Sequence, residues 1–364
     1  MSFEYWRQHP LIGFIRAPEV ALGTFGPLQW SCLIGTARRA NLMSRLASTA
    51  AASGQDDALP ARVVEHFASA RRVAQAARTA TLREARQIVA ALEPAGVPVV
   101  FLKGAAYILA GLEAGNGRLL GDVDILVPRD QIAAAERALV AAGWMTTKID
   151  NYDQRYYRQW MHELPPMRHL DRGTNLDVHH SILPPTARLK PDPALLWDTI
   201  SHPAEALGAG VLSDVDLVLH SATHLFHEGE FDNGLRDLVD LHVLLVEFGG
   251  AGEDAFWLRL LARARQLDLL RPLYYALRFS CALFDTPIPG AVLSESAAKG
   301  PDSTTARLMD AVLLACLTSS IAPARGPGLG LALLAAFVRS HYLRMPTRLL
   351  VPHLARKLVV PERG

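Results

Sequence analysis

The stretch GDVDILV, Gly121 to Val127, sets two carboxylates inside a run that otherwise reads as a buried strand. Side chains alternate along a strand, so Asp122 and Asp124 share one face while Val123 takes the other. Two like charges side by side near a core are costly unless something cationic lies between them. A hard divalent ion such as Mg²⁺, held by carboxylate oxygens and substrate phosphates, meets that need. A site for two such ions takes a further carboxylate from elsewhere in the chain. Asp177 suits the role, because it sits in TNLDVHHSIL out of phase with Leu176 and Val178.

The chain supplies its own control. LSDVDLVLHSATHLF repeats the triplet at Asp214, Val215 and Asp216, but the residues after it, Leu217, His220, Ala222, His224 and Leu225, follow a helical pattern. There the acids read as a helix cap or as first-turn residues that offset the helix dipole. What separates the first pair from the second is Lys103-Gly104. A strand, VPVVFLKG, ends in glycine and runs into a helix, AAYILAGLEAG. Such a junction exposes backbone N–H groups at a positive dipole end, and glycine lets the backbone approach a phosphate closely.

The pattern around this segment gives the organisation. Residues 28–94 are Ala- and Arg-rich with apolar positions at helical spacing, and Gly96 and Pro98 stop that run. The strand before Lys103, the helix after it, the GDVDILV strand, the helix RDQIAAAERALVAAGW and the TNLDVHHSIL strand form an α/β succession. Residues 145–172 read as a polar, aromatic connection. From about Leu195 onward every segment reads as helix, apart from Pro/Gly breaks near 286–290 and 323–328. The expected units are a helical region over 1–95, a core over 96–194 and a helical domain over 195–364. Within Val97–Ile182 the chain is expected to form a small mixed sheet in which the strands of Asp122 and Asp177 are neighbours.

A glycine turn after a first strand, an Asp-x-Asp on the next and a third Asp on a later strand resemble the DNA polymerase beta-like nucleotidyltransferase superfamily. More narrowly, LKG, then Arg118 and GDVDILV, then LDVHHSIL are similar to the bacterial family of uncharacterised nucleotidyltransferases. The likeness covers about Val97 to Ile182. It implies an α+β fold, a small mixed-sheet nucleotidyltransferase core embedded in N- and C-terminal helical regions. It also implies that Asp122, Asp124 and Asp177 are the catalytic, metal-binding carboxylates, for two Mg²⁺ ions, and that Gly104 lines a triphosphate pocket. The turn departs from the broader superfamily's Gly-Ser or Gly-Gly, since Lys103-Gly104-Ala105 brings a charge and no hydroxyl. The implied reaction moves a nucleoside monophosphate from an NTP, ATP foremost, to a hydroxyl of a small molecule, peptide or protein. The alternative is a non-catalytic, regulatory nucleotide-binding protein.

Other residues have two readings each. Arg118, four positions before the acids, is either a phosphate-facing guanidinium or an exposed loop residue. His179 shares a strand face with Asp177, as a proton acceptor for the attacking hydroxyl or as a structural histidine. His220, His224 and His227 have helical ligand spacing but no H-E-x-x-H arrangement, so zinc is not expected there, and His224 is a candidate for the acceptor side. Asp237 and Asp240 near Arg236 read as a solvated or ion-paired face, with Asp240 the candidate for acceptor recognition. Tyr152, Tyr156, Tyr157 and Trp160 either stack on a base or form a lid or satellite core. Lys plus Arg, 37, nearly cancel Asp plus Glu, 36, so no long nucleic acid is expected as partner. Three scattered cysteines, Cys32, Cys281 and Cys316, and an N-terminus without a signal-peptide layout point to the cytoplasm. The apolar stretches Ala311–Ala322 and Leu329–Val338 are too short to span a bilayer and read as buried helices.

Overall fold

The computed structural model describes residues 2–54, 59–148, 150–229, 231–250, 254–322 and 327–350. Two helices lead toward the sheet, α1 (Met43–Ala52) and the 32-residue α2 (Ala61–Leu92), packed against each other. Val63, Phe67 and Ala70, then Ala85, Ile88 and Leu92, recur at three- and four-residue spacing on α2 and are its buried stripe. A 3₁₀ turn and Gly96, at φ 64°, end it.

Six strands among the described residues form one mixed sheet: β1 (Val100–Phe101), β2 (Asp122–Leu126), β3 (Trp144–Thr146), β4 (Met167–His169), β5 (Asn175–His179) and β6 (Gly210–Val211). Their order is β3-β4-β5-β2-β1-β6. β2 runs parallel to β5 and antiparallel to β1, while β6 closes the far edge parallel to β1. Helix α3 (Lys103–Leu109) joins β1 to β2, and α4 (Ile132–Ala141) joins β2 to β3. After the sheet come α6 (Asp214–Thr223), α7 (Gly234–Phe248), α8 (Leu270–Phe284) and α9 (Pro327–Arg344), with α5 (Asn151–Trp160) lying earlier, between β3 and β4. This is the expected α+β arrangement, a mixed sheet flanked by helices from both ends of the chain. One apolar cluster runs from Trp6 through the sheet to Ala336.

Three details correct the sequence reading. The connection at 145–172 is not irregular: it contains β3's last two residues, α5 and β4, with Asp150 capping α5 through the Tyr152 N–H. β6 interrupts the region read as wholly helical, at Gly210, where an added Cβ would stand 2.2 Å from Ile200. These strands are two or three residues long, too short to show alternation, and form only because a partner strand is already present. Finally, α9 is not a buried helix. Ala332 and Ala336 face the core, while Leu331, Leu334 and Val338 are 69 %, 58 % and 52 % exposed. Among the described residues, no helix is long and apolar enough to cross a membrane.

The repeated triplet behaves as a helix start. The Ser213 hydroxyl caps α6 by accepting the Asp216 N–H, Asp214 pairs with Arg259, and buried Asp216 pairs with Arg263 at 2.8 Å.

A buried ion network ties the two helical regions to the core. Asp240 of α7 is 2 % exposed and accepts from Arg45 of α1 at 2.5 Å. Its other oxygen lies 2.8 Å from Nε of Arg118, in the segment before β2. Arg45 also donates to the carbonyls of Glu113 and Ala114. A shared carboxylate between two buried guanidiniums cannot be removed without leaving uncompensated charge. Asp240→Ala is therefore expected to lower the free energy of unfolding by about 3–5 kcal/mol, read by urea denaturation. A loss below about 1 kcal/mol, the range of a surface pair, would reject the structural role.

Candidate active site

The parallel ladder sets Asp124 directly opposite Asp177, with Asp122 opposite Asn175. Alternation puts all three carboxylates on one face, and Val123, Ile125, Leu176 and Val178 fill the other, at no more than 4 % exposure. Asp122 stands at the strand's open end, accessible to solvent, while Asp124 is buried.

Lys103 faces this cluster from the start of α3. Its Nζ donates to Asp124 Oδ1 at 2.8 Å. The residue holds φ at 48°, a left-handed conformation that costs a non-glycine residue about 1–2 kcal/mol. Gly104, next to it, is needed for a different reason. A Cβ there would fall 2.3 Å from the tip of Leu120, with Arg118 next at 3.4 Å. Gly104 is thus buried under the segment that precedes the acids.

Electrostatics divide the acids. Burial alone would push Asp124 up, but Lys103 and the hydrogen bond from His179 outweigh it and hold this carboxyl well below the usual range. Asp177 goes the other way. Burial, then the neighbouring charges of Asp124, Glu163 and Asp122, push it up to about 8. Asp122 is also raised, by desolvation within the cavity and then by Asp124, with Lys103 opposing. One carboxylate is satisfied, and the one facing it is not.

His179 lies on the same face, two residues beyond Asp177. Its Nε2 is 3.1 Å from Asp124 Oδ1 and 3.5 Å from Glu163 Oε2. Glu163 and its neighbour His162 were not singled out in the sequence; they follow α5 and pair with the end of β5 through an isolated bridge, Glu163 to His179. Nothing local announces them, since the pairing spans a loop and a strand. His162, Glu163 and His179 are the described residues that gather with metal-ligand spacing, each offering one atom within 4.8 Å of the others.

A cavity of about 1140 Å³ opens over these groups. Lys103, Gly104, Arg118, Asp122, Asp124, Asp177, His179 and His224 all line it, so the structure brings together most of the residues expected at the site. Arg118 lines it while committed to protein, with Nε beside Asp240, one terminal nitrogen 3.4 Å from Asp237 and the other donating to the Leu119 carbonyl. Asp240 is not among the lining residues and lies behind Arg118. A π-turn, His224–Glu228, follows α6 and breaks the four-residue spacing assumed for the histidines. His224 lines the cavity, whereas His220 is buried, its pKa held well below 6.5 by burial and then by Lys103. The far wall is apolar and comes from α9: Leu333, Leu334, Ala336 and Phe337, with Phe231 beside them. Tyr152 and Tyr156 stack within α5, and Trp160 packs edge-on to both. Tyr157 is raised by burial and then by Glu163, and Asp177 also contributes, which places its hydroxyl in the field of the site.

Sheet, acids and cavity together describe an α+β protein with a carboxylate-centred site at the edge of parallel strands. The model of the family described as uncharacterised nucleotidyltransferase matches residues 26–285, and the chain belongs to that family. No functionally curated protein matches. No solved structure matches either.

The raised Asp177 carboxyl has a measurable consequence. It binds its proton more tightly in the folded chain than in the unfolded one, so it makes stability fall as pH rises from 3.8 to about 8. His180, His220 and His242, all lowered by burial first, give the opposite slope at acid pH. The difference between wild type and Asp177→Asn isolates the first effect. In metal-free buffer the variant is expected to gain stability over wild type across that window, the gain levelling off above about 8. Urea unfolding at a series of pH values reads it, and a pH-independent difference would overturn the raised pKa assigned to Asp177.

Proposed function

We propose that the protein moves a nucleoside monophosphate from ATP, or another NTP, to a hydroxyl of a small molecule, peptide or protein, with Mg²⁺ as cofactor. The observation that carries this reading is the in-register facing of Asp124 and Asp177 beside Asp122, with a carboxyl pushed up to about 8 by burial and then by like charge. Hard oxygen donors that repel one another in a half-open cavity fit a hard divalent cation. Asp122, Asp124 and Asp177 would hold it. When bound, Mg²⁺ supplies charge neutralisation for the phosphate oxygens and lowers the pKa of the attacking hydroxyl.

The chain's own residues supply the rest. Lys103, held by its backbone at the head of α3, brings a cation to where phosphate oxygens would lie. Gly104 makes room for Leu120 and Arg118 to pack over the head of α3, which fixes the segment before the acids. His179, held by its contact with Asp124, stands on the acid face and helps keep that carboxylate in place. We place the acceptor between His224 and the apolar α9 wall, a pairing that suits a hydroxyl carried on a partly apolar body. The non-catalytic alternative draws on one observation: Lys103 already neutralises Asp124, as an internal cation does where no metal is used.

Two variants separate these readings. Asp177→Asn is expected to retain nucleotide binding, read by thermal shift with triphosphate and Mg²⁺. Its transfer, followed by mass spectrometry of products from a cell extract and labelled triphosphates, should fall on the order of 10²-fold or more. Lys103→Ala is expected to weaken triphosphate binding about tenfold and nucleoside binding little, the scale of one charge-assisted hydrogen bond. Undiminished transfer by Asp177→Asn would withdraw the metal-assisted mechanism. Nucleotide binding that ignores Mg²⁺, with no labelled product, would favour the regulatory reading.

A further inference from the structure

We propose that His162, Glu163 and His179 form a Zn²⁺ site distinct from the Asp122, Asp124 and Asp177 cluster. The three residues each offer one donor atom, and the three atoms lie within 4.8 Å of one another. That spacing is built by the backbone. Leu164 N–H donates to the Val178 carbonyl at 2.9 Å and His180 N–H to the His162 carbonyl at 2.8 Å. These bonds flank Glu163 and His179, which makes them a non-hydrogen-bonded antiparallel pair, the geometry that brings opposed side chains closest. The two imidazole rings stand 5.1 Å apart, centroid to centroid.

Burial adds a second argument. His162 and His179 are each 4 % exposed, so both rings are held out of solvent where the three donors meet. Nε2 of His179 lies 3.5 Å from Glu163 Oε2 and 3.1 Å from Asp124 Oδ1, so this nitrogen faces the carboxylates.

Donor chemistry selects the ion. Two imidazoles and one carboxylate suit Zn²⁺, which takes such sets in four-coordinate sites that keep one position open. Mg²⁺ prefers six oxygens and finds them in the aspartates instead. All three proposed ligands line the cavity, so the open position faces the space where an acceptor would enter. The ion would pin the segment after α5 to the end of β5, beside the aspartates but not among them.

The test reads metal binding without nucleotide, so it stands or falls independently of the transfer reaction. Full-length protein is stripped with EDTA, re-equilibrated in excess Mg²⁺ and titrated with ZnCl₂ by calorimetry, with bound metal counted by mass spectrometry. One equivalent of Zn²⁺ is expected to bind despite the Mg²⁺. Affinity should fall at least about tenfold in His162→Gln and in Glu163→Gln and stay unchanged in Asp122→Asn. No binding in excess Mg²⁺ overturns the proposal, as does equal binding by wild type and both ligand variants. Equal weakening by Asp122→Asn overturns it too, by placing Zn²⁺ among the aspartates. Should either ligand variant fail to fold by circular dichroism, Co²⁺ added to wild type decides: intense visible absorption of a four-coordinate ion supports the site, and a weak octahedral spectrum rejects it.

Discussion

The pairing of β2 with β5 governs the rest of the molecule. Parallel strands lie about 4.8 Å apart, so registered partners cannot avoid each other. Here the partners on one face are Asp124 and Asp177, and those on the other are Val123 with Leu176 and Ile125 with Val178. A slip of one residue would turn the apolar set outward. Each fully buried aliphatic side chain contributes roughly 1.5–3 kcal/mol, so the four together outweigh the few kcal/mol that one crowded carboxylate costs. The core face thus enforces a confrontation that the acids would not choose, and the cavity above them inherits a fixed deficit of positive charge.

That enforcement extends outward through Arg118. The guanidinium reaches back to Asp240 of α7, which also holds Arg45 of α1, so the segment just before β2 is anchored to helices from both ends of the chain. The anchoring has a steric result as well. Leu120 lies over Gly104, and the floor of the cavity is closed by two residues that are distant in sequence from one another. Arg118 was expected to be either a phosphate ligand or an exposed loop residue. It is buried and lines the cavity, its terminal nitrogens donating to Asp237 and a carbonyl and its Nε in ion-pair range of Asp240. Its contribution to the site runs through position before it runs through charge.

The parts legible in the sequence are those with local signals. β1, β2 and β5 carry β-branched runs with glycine or proline nearby, α2 shows its stripe over many turns, and the Asp-Val-Asp of β2 differs from that of α6 by the periodicity that follows. The α+β class and the neighbouring of the acid strands came from these. What stayed hidden depends on distant pairing. β3, β4 and β6 are too short for alternation, and Glu163 meets His179 only because the segment after α5 folds back on β5. Asp240 looks from its neighbours like an ion-paired surface position, and the partners that bury it, Arg45 and Arg118, lie 195 and 122 positions away. α9 misled for a further reason: its alanines, not its leucines, face the core, so a strongly apolar run left its largest side chains on the cavity wall and in solvent.

Lys103 shows how charge and backbone were traded in this site. A glycine would take φ of 48° without strain, and the residue present is a lysine that bears about 1–2 kcal/mol for the same conformation. The ion pair with buried Asp124 offsets that strain, since a carboxylate at this depth without a cation would be far more costly. The pairing is unequal, however. Lys103 covers Asp124 and leaves Asp177 to keep its proton up to about 8. Before both can serve as oxygen donors, Asp177 must release that proton and Asp124 must share an oxygen that Lys103 and His179 already contact. That ion pair with a buried carboxylate is the physical reason a lysine can stand where a glycine would fit the backbone better.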